Sequence, residues 1–404
     1  MRILHTSDWH LGQHFFGKSR VAEHQAFIDW LVQTVEQQQI DVVLVAGDIF
    51  DTGTPPSYAR ELYNQCIVKL QTLQVQLVVL GGNHDSVAML QESRELLACL
   101  NVQVIPGYMA KPEDHLIGLY DRKGTQCAWL CALPYLRPRD LLQSQSGESQ
   151  QQKQQQLQQA IQQQYQRIWE LAATQTTRLP VVGSGHLTTV GASLSESVRE
   201  LYIGMLEAFP ADAFPPFDYL ALGHIHRSQR IAGTEHIRYS GSPIALSFDE
   251  ARQQKQVLLV ELSDKGVQQV LELPVPAFRK LVSLRCELDA LPAQFAELAG
   301  NASDDWPVWV EVVVQADAYL ADLQARIEAL TDELPIEVLR VRRERLQPAQ
   351  GFTRQAKETL SELSADEVFA RRLAQEALSE SDVQALTLLH RQLLSELETG
   401  ELPL

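Results

Sequence analysis

The chain has 404 residues, 45% of them hydrophobic, enough for a sizeable core and for two domains, or one large domain with an appendage. Its 34 basic and 51 acidic residues give a net charge of -17, which argues against broad nonspecific nucleic-acid binding through Lys and Arg but describes no single cleft. No apolar run reaches the length of a membrane span, no signal-peptide pattern opens the chain, and five scattered cysteines (Cys66, Cys99, Cys127, Cys131, Cys286) match no metal spacing, so a soluble cytoplasmic protein with reduced thiols is expected.

In chain order, RILHTSD reads as a strand running into a loop, and Val21 to Gln38 carries apolar residues at helical spacing (Ala22, Phe27, Ile28, Leu31, Val35). DVVLVAGD is a buried strand, Ser57 to Leu73 a helix, and QLVVLGGNHD another strand. This alternation implies parallel strands with helices on both faces. Gln143 to Gln166 is dominated by glutamine, yet Leu157, Ile161, Tyr165, Ile168 and Leu171 recur every three or four residues, which predicts a surface helix acting as scaffold. From Pro180 on, PVVGSGH, FDYLALGH, HIRYSGSP, QVLLVEL and VQQVLEL suggest a second, mainly antiparallel sheet packed on the first.

Pro274 and Pro276 break the pattern and mark a domain boundary. Residues Phe278 to Glu344 read as a small α/β unit, with strands LVSLRCEL, VWVEVVVQ and IEVLRVRRE and a helix from Ala318 to Leu330. From Thr353 the chain is helical and polar. Ser364 with Glu367 and Ser381 with Gln384 have capping-box spacing, and Val383, Leu386, Leu389, Leu393 and Leu397 form one apolar stripe. The expected organisation is an α/β two-sheet sandwich flanked by helices over residues 1–275, a small α/β capping domain over 276–345, and a C-terminal helical tail over 346–404.

Five short motifs sit where predicted strands end: Asp8-Trp9-His10, Gly47-Asp48, Gly82-Asn83-His84-Asp85, Gly185-His186 and Gly223-His224-Ile225-His226. Loops beyond the carboxyl ends of strands are where open α/β sheets build their sites, and the glycines let the backbone turn sharply beside a ligand. Residues two apart in an extended segment point the same way, so Asp8 and His10 can converge on one ion and His224 and His226 can approach a pair. Each motif alone is common in turns; their joint occurrence is the signal. Mixed carboxylate, imidazole and amide ligands suit Mn, Fe or Zn. A pair of such ions stabilises both oxygens of a phosphoryl displacement, with Asp48 as the natural bridging carboxylate, and would draw a phosphate to an otherwise acidic surface.

At these residues the chain resembles the calcineurin-like metallophosphoesterases. More narrowly, the flanks HTSDWHLG, GDIFD and YSGSPIALSFDE (Tyr239 to Glu250), with the order of domains, resemble the family of nuclease subunits of bacterial SbcCD complexes. The resemblance implies that Asp8, His10, Asp48 and His226 hold one ion and that Asp48, Asn83, His186 and His224 hold the other, with Mn2+ the expected metal. It implies that His84 is no ligand but faces the phosphate, stabilising the transition state or protonating the leaving oxygen, with Asp85 orienting it. Many archaeal and eukaryotic relatives carry a histidine where this chain has Asp51, so no role for Asp51 is carried over. The resemblance further implies a homodimer, a coiled-coil ABC-type ATPase partner, no membrane, and DNA ends or hairpins as substrate. The reactions would be exonucleolytic and endonucleolytic cutting in DNA repair, recombination or replication, near the nucleoid. The absence of a Walker A pattern fits an ATP dependence that comes from a partner.

Lys18 and Arg20, Arg137 and Arg139, and Arg227 and Arg230 lie near the motifs and are candidate phosphate contacts or ordinary surface charge. Arg340, Arg342, Arg343 and Arg345 could touch DNA or partner, or guard a strand edge. The tail stripe is assigned to the partner's coiled coil, with packing on the chain's own small domain as the alternative. The rival activity is a phosphomonoesterase or small-molecule phosphodiesterase on the same fold, for which the appended domain and tail have no use. A scaffold that has lost its chemistry is argued against by the presence of all seven ligand candidates and His84.

Overall fold

Alternation inside the apolar strands decides the layering. In the strand Val42–Ala46, Val42, Leu44 and Ala46 pack with Leu130, Val182, Tyr219 and Ala221 of a second sheet, whereas Val43 and Val45 pack with helices. Those helices are α1 (Val21–Gln37), through Phe27, Ile28 and Leu31, and α2 (Ser57–Thr72), through Ile67 and Leu70. The same division recurs in Tyr219–Gly223, where Tyr219 and Ala221 face the inter-sheet core and Leu220 and Leu222 face helix Gln150–Ala173. Successive side chains of a strand point to opposite faces, so strands that are apolar throughout belong at the centre of a four-layer helix–sheet–sheet–helix arrangement. A computed structural model of the chain describes residues 1–142, 149–175, 179–199, 208–300, 302–303, 305–315, 323–344, 369, 373 and 382–390.

The first sheet has six strands in the order Gly266–Pro274, Gln256–Ser263, Arg2–Thr6, Val42–Ala46, Gln76–Leu80 and Val102–Ile105. The last four run parallel, and Gln256–Ser263 pairs antiparallel with Arg2–Thr6 on one side and with Gly266–Pro274 on the other. The second sheet has the order Gln229–Arg230, Ile237–Tyr239, Tyr219–Gly223, Val181–His186, Gln126–Ala132 and Leu116–Tyr120. Two features of the sequence reading are corrected. The central strands of the second sheet pair in parallel, with antiparallel pairing confined to its two edges, and the strands QVLLVEL and VQQVLEL extend the first sheet. Apolar patterning is blind to strand direction; the connection sets it. The glutamine-rich helix Gln150–Ala173 is the crossover between Gln126–Ala132 and Val181–His186, which forces parallel pairing. Its capping box at Ser149 and Gln152 and its buried Leu157, Ile161, Tyr165 and Ile168 explain why so polar a segment is helical.

A three-stranded sheet, Leu281–Cys286, Val308–Gln315 and Ile336–Glu344, follows with helices Leu291–Ala299 and Leu323–Thr331. It packs on the first domain through Leu281 and Trp309 against Phe15 and Phe248. Phe15 lies stacked on Trp309 with ring centroids 5.6 Å apart. The Arg279 guanidinium sits 4.4 Å from the Trp309 centroid and 3.5 Å from Glu23. Residues from 343 on form a separate unit with Gln315–Leu320. Within that unit residues 382–390 are helical, and Leu386 and Leu389 of the expected stripe are exposed. Both capping boxes are wholly or partly, and Leu393 and Leu397 wholly, outside the described residues. No described helix is long and apolar enough to cross a membrane.

Candidate metal centre

The parallel strands of both sheets end at the same place, and that is where the motif residues meet. Asp8 follows Arg2–Thr6, Asp48 follows Val42–Ala46, and Asn83 follows Gln76–Leu80; His186 ends Val181–His186 and His224 follows Tyr219–Gly223. The first two loops are zipped together by backbone bonds that continue the sheet: Asp8 N–H to Gly47 O at 3.0 Å, His10 N–H to Asp48 O at 3.1 Å, and Leu11 N–H to Ile49 O at 2.9 Å. Four non-glycine motif residues are held in the left-handed region, Asp8 at φ 54°, His10 at 46°, Asp48 at 51° and His224 at 93°. Each such residue costs about 1–3 kcal/mol and persists only where its surroundings over-determine it. Two glycines mark how closely the loops approach: a Cβ on Gly82 would collide with the Asp48 carboxylate, and one on Gly47 with the His186 ring.

Three groups of ligand atoms lie within 4.8 Å of one another: Asp8, His10 and His226; Asp48, His186 and His224; and His10, Asp48 and His84. Asn83 joins the second group, its Oδ1 lying 2.9 Å from His186 Nε2 and 2.9 Å from His224 Nδ1. All seven ligand candidates therefore converge, six of them buried and Asn83 half-buried. Asp48 lies between the groups, its Oδ2 3.1 Å from His186 Nε2 and 3.7 Å from His10 Nε2, the location a bridging carboxylate requires.

The far sides of the rings are held. His10 Nδ1 lies 3.1 Å from Asp51 Oδ1, His186 Nδ1 2.8 Å from Ala46 O, and His226 Nδ1 2.7 Å from Ser197 Oγ. An Nδ1–H donated to a carbonyl or carboxylate leaves Nε2 as the lone-pair nitrogen, the form that binds a cation. Position 51, which the resemblance left without a role, thus orients His10. Asp8 accepts from Ser7 Oγ at 2.5 Å and from the His224 amide at 3.0 Å. Buried His10 Nε2 has no hydrogen-bond partner among the described residues, and it points into the cluster where an ion would satisfy it. Donor set, convergence and tautomers all fit divalent metal ions.

The electrostatics agree. Burial opposes charge on Asp48, but His186, His84 and His10 around it outweigh burial and hold its carboxyl well below the usual range. Burial likewise opposes the His186 imidazolium, yet Asp48 raises that ring from 6.5 to about 9. His224 is driven far the other way by burial and by the charge on its neighbour His186, so it stays neutral. Burial also disfavours the charge on Glu250, behind His226, but Lys255 and His226 hold it well below its usual value. The site is built to hold positive charge between two carboxylates.

One expected pairing is corrected. Asp85 does not orient His84: its carboxylate accepts the amides of Gly82 (2.8 Å), Phe50 (3.0 Å) and Ile49 (3.2 Å), locking the Asp48 loop to the Asn83 loop. Burial and the nearby Asp48 charge raise the Asp85 carboxyl to about 6 against those bonds. His84 is oriented by the backbone, its Nδ1–H donating to Asp51 O at 2.7 Å, and its own amide binds Asp48 Oδ1 at 2.9 Å. The rest of the positive surface is mostly accounted for. Arg20 is buried and its guanidinium is committed to Glu23, Gln13 and the Ala245 carbonyl. Arg137 braces the Asn83–His84 loop through the carbonyls of Asp85 (2.9 Å) and Gly82 (3.5 Å). Lys18 pairs with Glu337, Arg230 with Glu235, and Arg340 and Arg342 with Glu311. Arg139 and Arg227 are exposed; Arg345 lies outside the described residues.

Comparison with known proteins places this geometry. A model of the calcineurin-like phosphoesterases matches residues 1–228, and one described as the type 5 capsule protein repressor C-terminal domain matches residues 277–377. The SbcD component of the Escherichia coli K12 nuclease SbcCD is 51% identical over 390 residues, covering 96% of both chains. Its counterpart in Rhodobacter capsulatus is 33% identical over 353 residues, 84% of this chain and 86% of its own. That of Bacillus subtilis is 32% identical over 268 residues, 65% of this chain and 66% of its own.

Proposed function

Because the chain belongs to the calcineurin-like phosphoesterases and, within them, to the SbcD nuclease subunits, we propose that it hydrolyses DNA phosphodiester bonds at a two-metal centre. The observation that carries the reading is the convergence, at the carboxyl ends of strands from both sheets, of Asp8, His10, Asp48, Asn83, His186, His224 and His226. Asp8, His10, Asp48 and His226 would hold one ion; Asp48, Asn83, His186 and His224 would hold the other. Bound there, two divalent ions, with Mn2+ the favoured pair, would neutralise phosphoryl charge and activate a water molecule.

The residues of the chain supply the rest. Asp48, fixed by the His84 amide, keeps the two ligand groups in register. His84, with Nδ1–H committed to Asp51 O, turns Nε2 towards the scissile phosphate; only as the imidazolium, with a second proton on Nε2, can it donate to the developing charge there. Asp85 and Arg137 act one step back, holding the Asn83–His84 loop through backbone groups alone.

The proposed setting of the chain draws support from the same relatives, which are named as subunits of SbcCD. We assign it an SbcC-like coiled-coil ATPase partner, DNA ends and hairpins as substrates, and a cytoplasmic, nucleoid-associated location. The domains are taken as 1–275 for catalysis, 276–345 as cap and 346–404 as the partner-binding tail. The homodimer is assigned to a groove of about 710 Å³ between α2 and the short helices α3 (Val87–Glu92) and α4 (Arg94–Ala98), lined by Phe50, Tyr63, Val68, Met89, Leu90 and Leu97. Val68 is 57% exposed and Leu96 69%, apolar surface that a second copy would cover.

The deciding experiment is cleavage of an end-labelled hairpin duplex by the chain reconstituted with its ATPase partner, ATP and Mn2+, beside Asp48→Ala. Metal-dependent cutting lost in the variant is the expected result. Intact DNA with continued turnover of p-nitrophenyl phosphate would replace the nuclease with a phosphomonoesterase.

A further inference from the structure

Behind His226, on the side away from the other ligands, lies a chain of buried and half-buried polar groups. His226 Nδ1 is 2.7 Å from Ser197 Oγ and 3.4 Å from Glu250 Oε1, and Ser197 Oγ donates to Glu250 Oε1 at 2.7 Å. Lys255 Nζ donates to Glu250 Oε2 at 2.6 Å, and also to the His226 carbonyl and to Ser242 Oγ, both at 2.9 Å. The Leu246 amide closes the network on Glu250 Oε2 at 3.0 Å. Glu250 is 0% exposed and Lys255 9%.

Counting protons fixes the tautomer. An ammonium has three donors, and Lys255 gives all three to the three acceptors just named. A carboxylate only accepts, and Ser197 has one hydroxyl proton, which goes to Glu250. His226 Nδ1 must therefore carry its own proton and donate it to Ser197 Oγ, leaving the lone pair on Nε2. Replacing a buried ion pair by apolar residues of similar size is often neutral or stabilising, so Glu250 and Lys255 are poorly explained by stability alone. What an apolar pair cannot do is hold Nδ1.

We propose that Glu250, with Ser197 as relay and Lys255 as counter-charge, is the positioning carboxylate of His226, setting the tautomer and angle of that ring in the cation site it shares with Asp8 and His10. The inference rests on the two-metal reading above and adds residues to it. It gives a task to the Tyr239–Glu250 stretch, which the sequence marked only as a flank. It also ties the site to the three-stranded domain: the turn Phe248–Glu250 carries Phe248, whose ring lies 5.1 Å from Phe15, itself stacked on Trp309. The seat of that domain and the tether of His226 share one three-residue turn.

The test is a Mn2+ titration of the metal-free full-length protein by calorimetry, for wild type, Ser197→Ala, Ser197→Thr and Glu250→Gln. Loss of a group that orients a ligand weakens metal binding by roughly 10- to 100-fold. Ser197→Ala and Glu250→Gln should weaken one of two Mn2+ sites by that factor and leave the other unchanged, while Ser197→Thr, which keeps the hydroxyl, stays near wild type. Should Glu250→Gln fail to fold with Lys255 unpaired, Ser197→Ala decides, because it removes one oxygen from a half-buried side chain. Two sites of wild-type affinity in Ser197→Ala overturn the proposal and leave the metal centre standing. A wild type that binds no Mn2+ overturns both.

Discussion

Asp48→Asn keeps the shape of the bridging side chain and removes its charge, and its largest effect should appear on His186. Asp48 Oδ2 lies 3.1 Å from His186 Nε2; at an effective dielectric constant near 20, unit charges at that distance attract by about 5 kcal/mol. Burial opposes the imidazolium, and the net outcome is the rise from 6.5 to about 9, which is worth about 3 kcal/mol. Without the carboxylate, burial is opposed only by Asp8 and the Ala46 carbonyl, so in the metal-free variant His186 should titrate well below 9. The same pair bears on stability. The folded value exceeds the unfolded one, so its contribution is full below pH 6.5 and fades as pH rises through about 9; the variant should lack that slope. On hairpin DNA with partner, ATP and Mn2+, cleavage should fall at least about 10³-fold, about 4 kcal/mol in the barrier. Histidine ring NMR of the metal-free protein, followed by Mn2+ calorimetry, reads both effects. A His186 resonance still titrating near 9, or two ions bound with undiminished affinity, would refute the reasoning.

Two further predictions concern the rest of the molecule. His5 is fully buried between the sheets, its Nδ1 3.0 Å from Tyr219 Oη, and burial lowers it from 6.5 to about 3. It stays neutral in the fold while the unfolded chain takes up a proton, so stability is full above pH 6.5 and declines towards pH 3 by on the order of 4 kcal/mol. Urea melts with chelator at about pH 7.5 and about pH 4.5 should show a shallower pH dependence for His5→Gln than for wild type, and equal slopes would count against a neutral buried ring. Val68→Glu sets a carboxylate on the apolar rim of the α2 groove, the surface proposed for the dimer. An unpaired charge buried in an apolar interface costs several kcal/mol, so light scattering should show a dimer weakened by about 10²-fold or more, whereas an unchanged mass would place the interface elsewhere.

The sequence alone marked the candidate metal ligands, because they are marked by residue type at strand ends. Asp8, His10, Asp48, Asn83, His186, His224 and His226 each follow or end an apolar run, and strand ends are set by local pattern. For the same reason α1, α2 and even the glutamine-rich helix were legible, the last from an apolar repeat of three and four. What the tertiary structure decided was direction and partnership. Nothing in QVLLVEL says which sheet it joins, since alternation is the same for parallel and antiparallel neighbours; packing set it antiparallel beside Arg2–Thr6, while the crossover helix set the parallel pairing of Gln126–Ala132 with Val181–His186. The positioning groups were hidden for a related reason. Asp51 lies 41 positions from His10, and Ser197 and Glu250 lie 29 and 24 positions on either side of His226. Such contacts are made by the packing of loops from different strands, and a polar residue in a turn carries no mark of which ring it will meet. Asp85, adjacent to His84 in sequence, binds three backbone amides, while the orienting atom of His84 is the carbonyl of Asp51. Neighbourhood along the chain suggested the first pairing, and the fold, which must satisfy every buried amide, made the second.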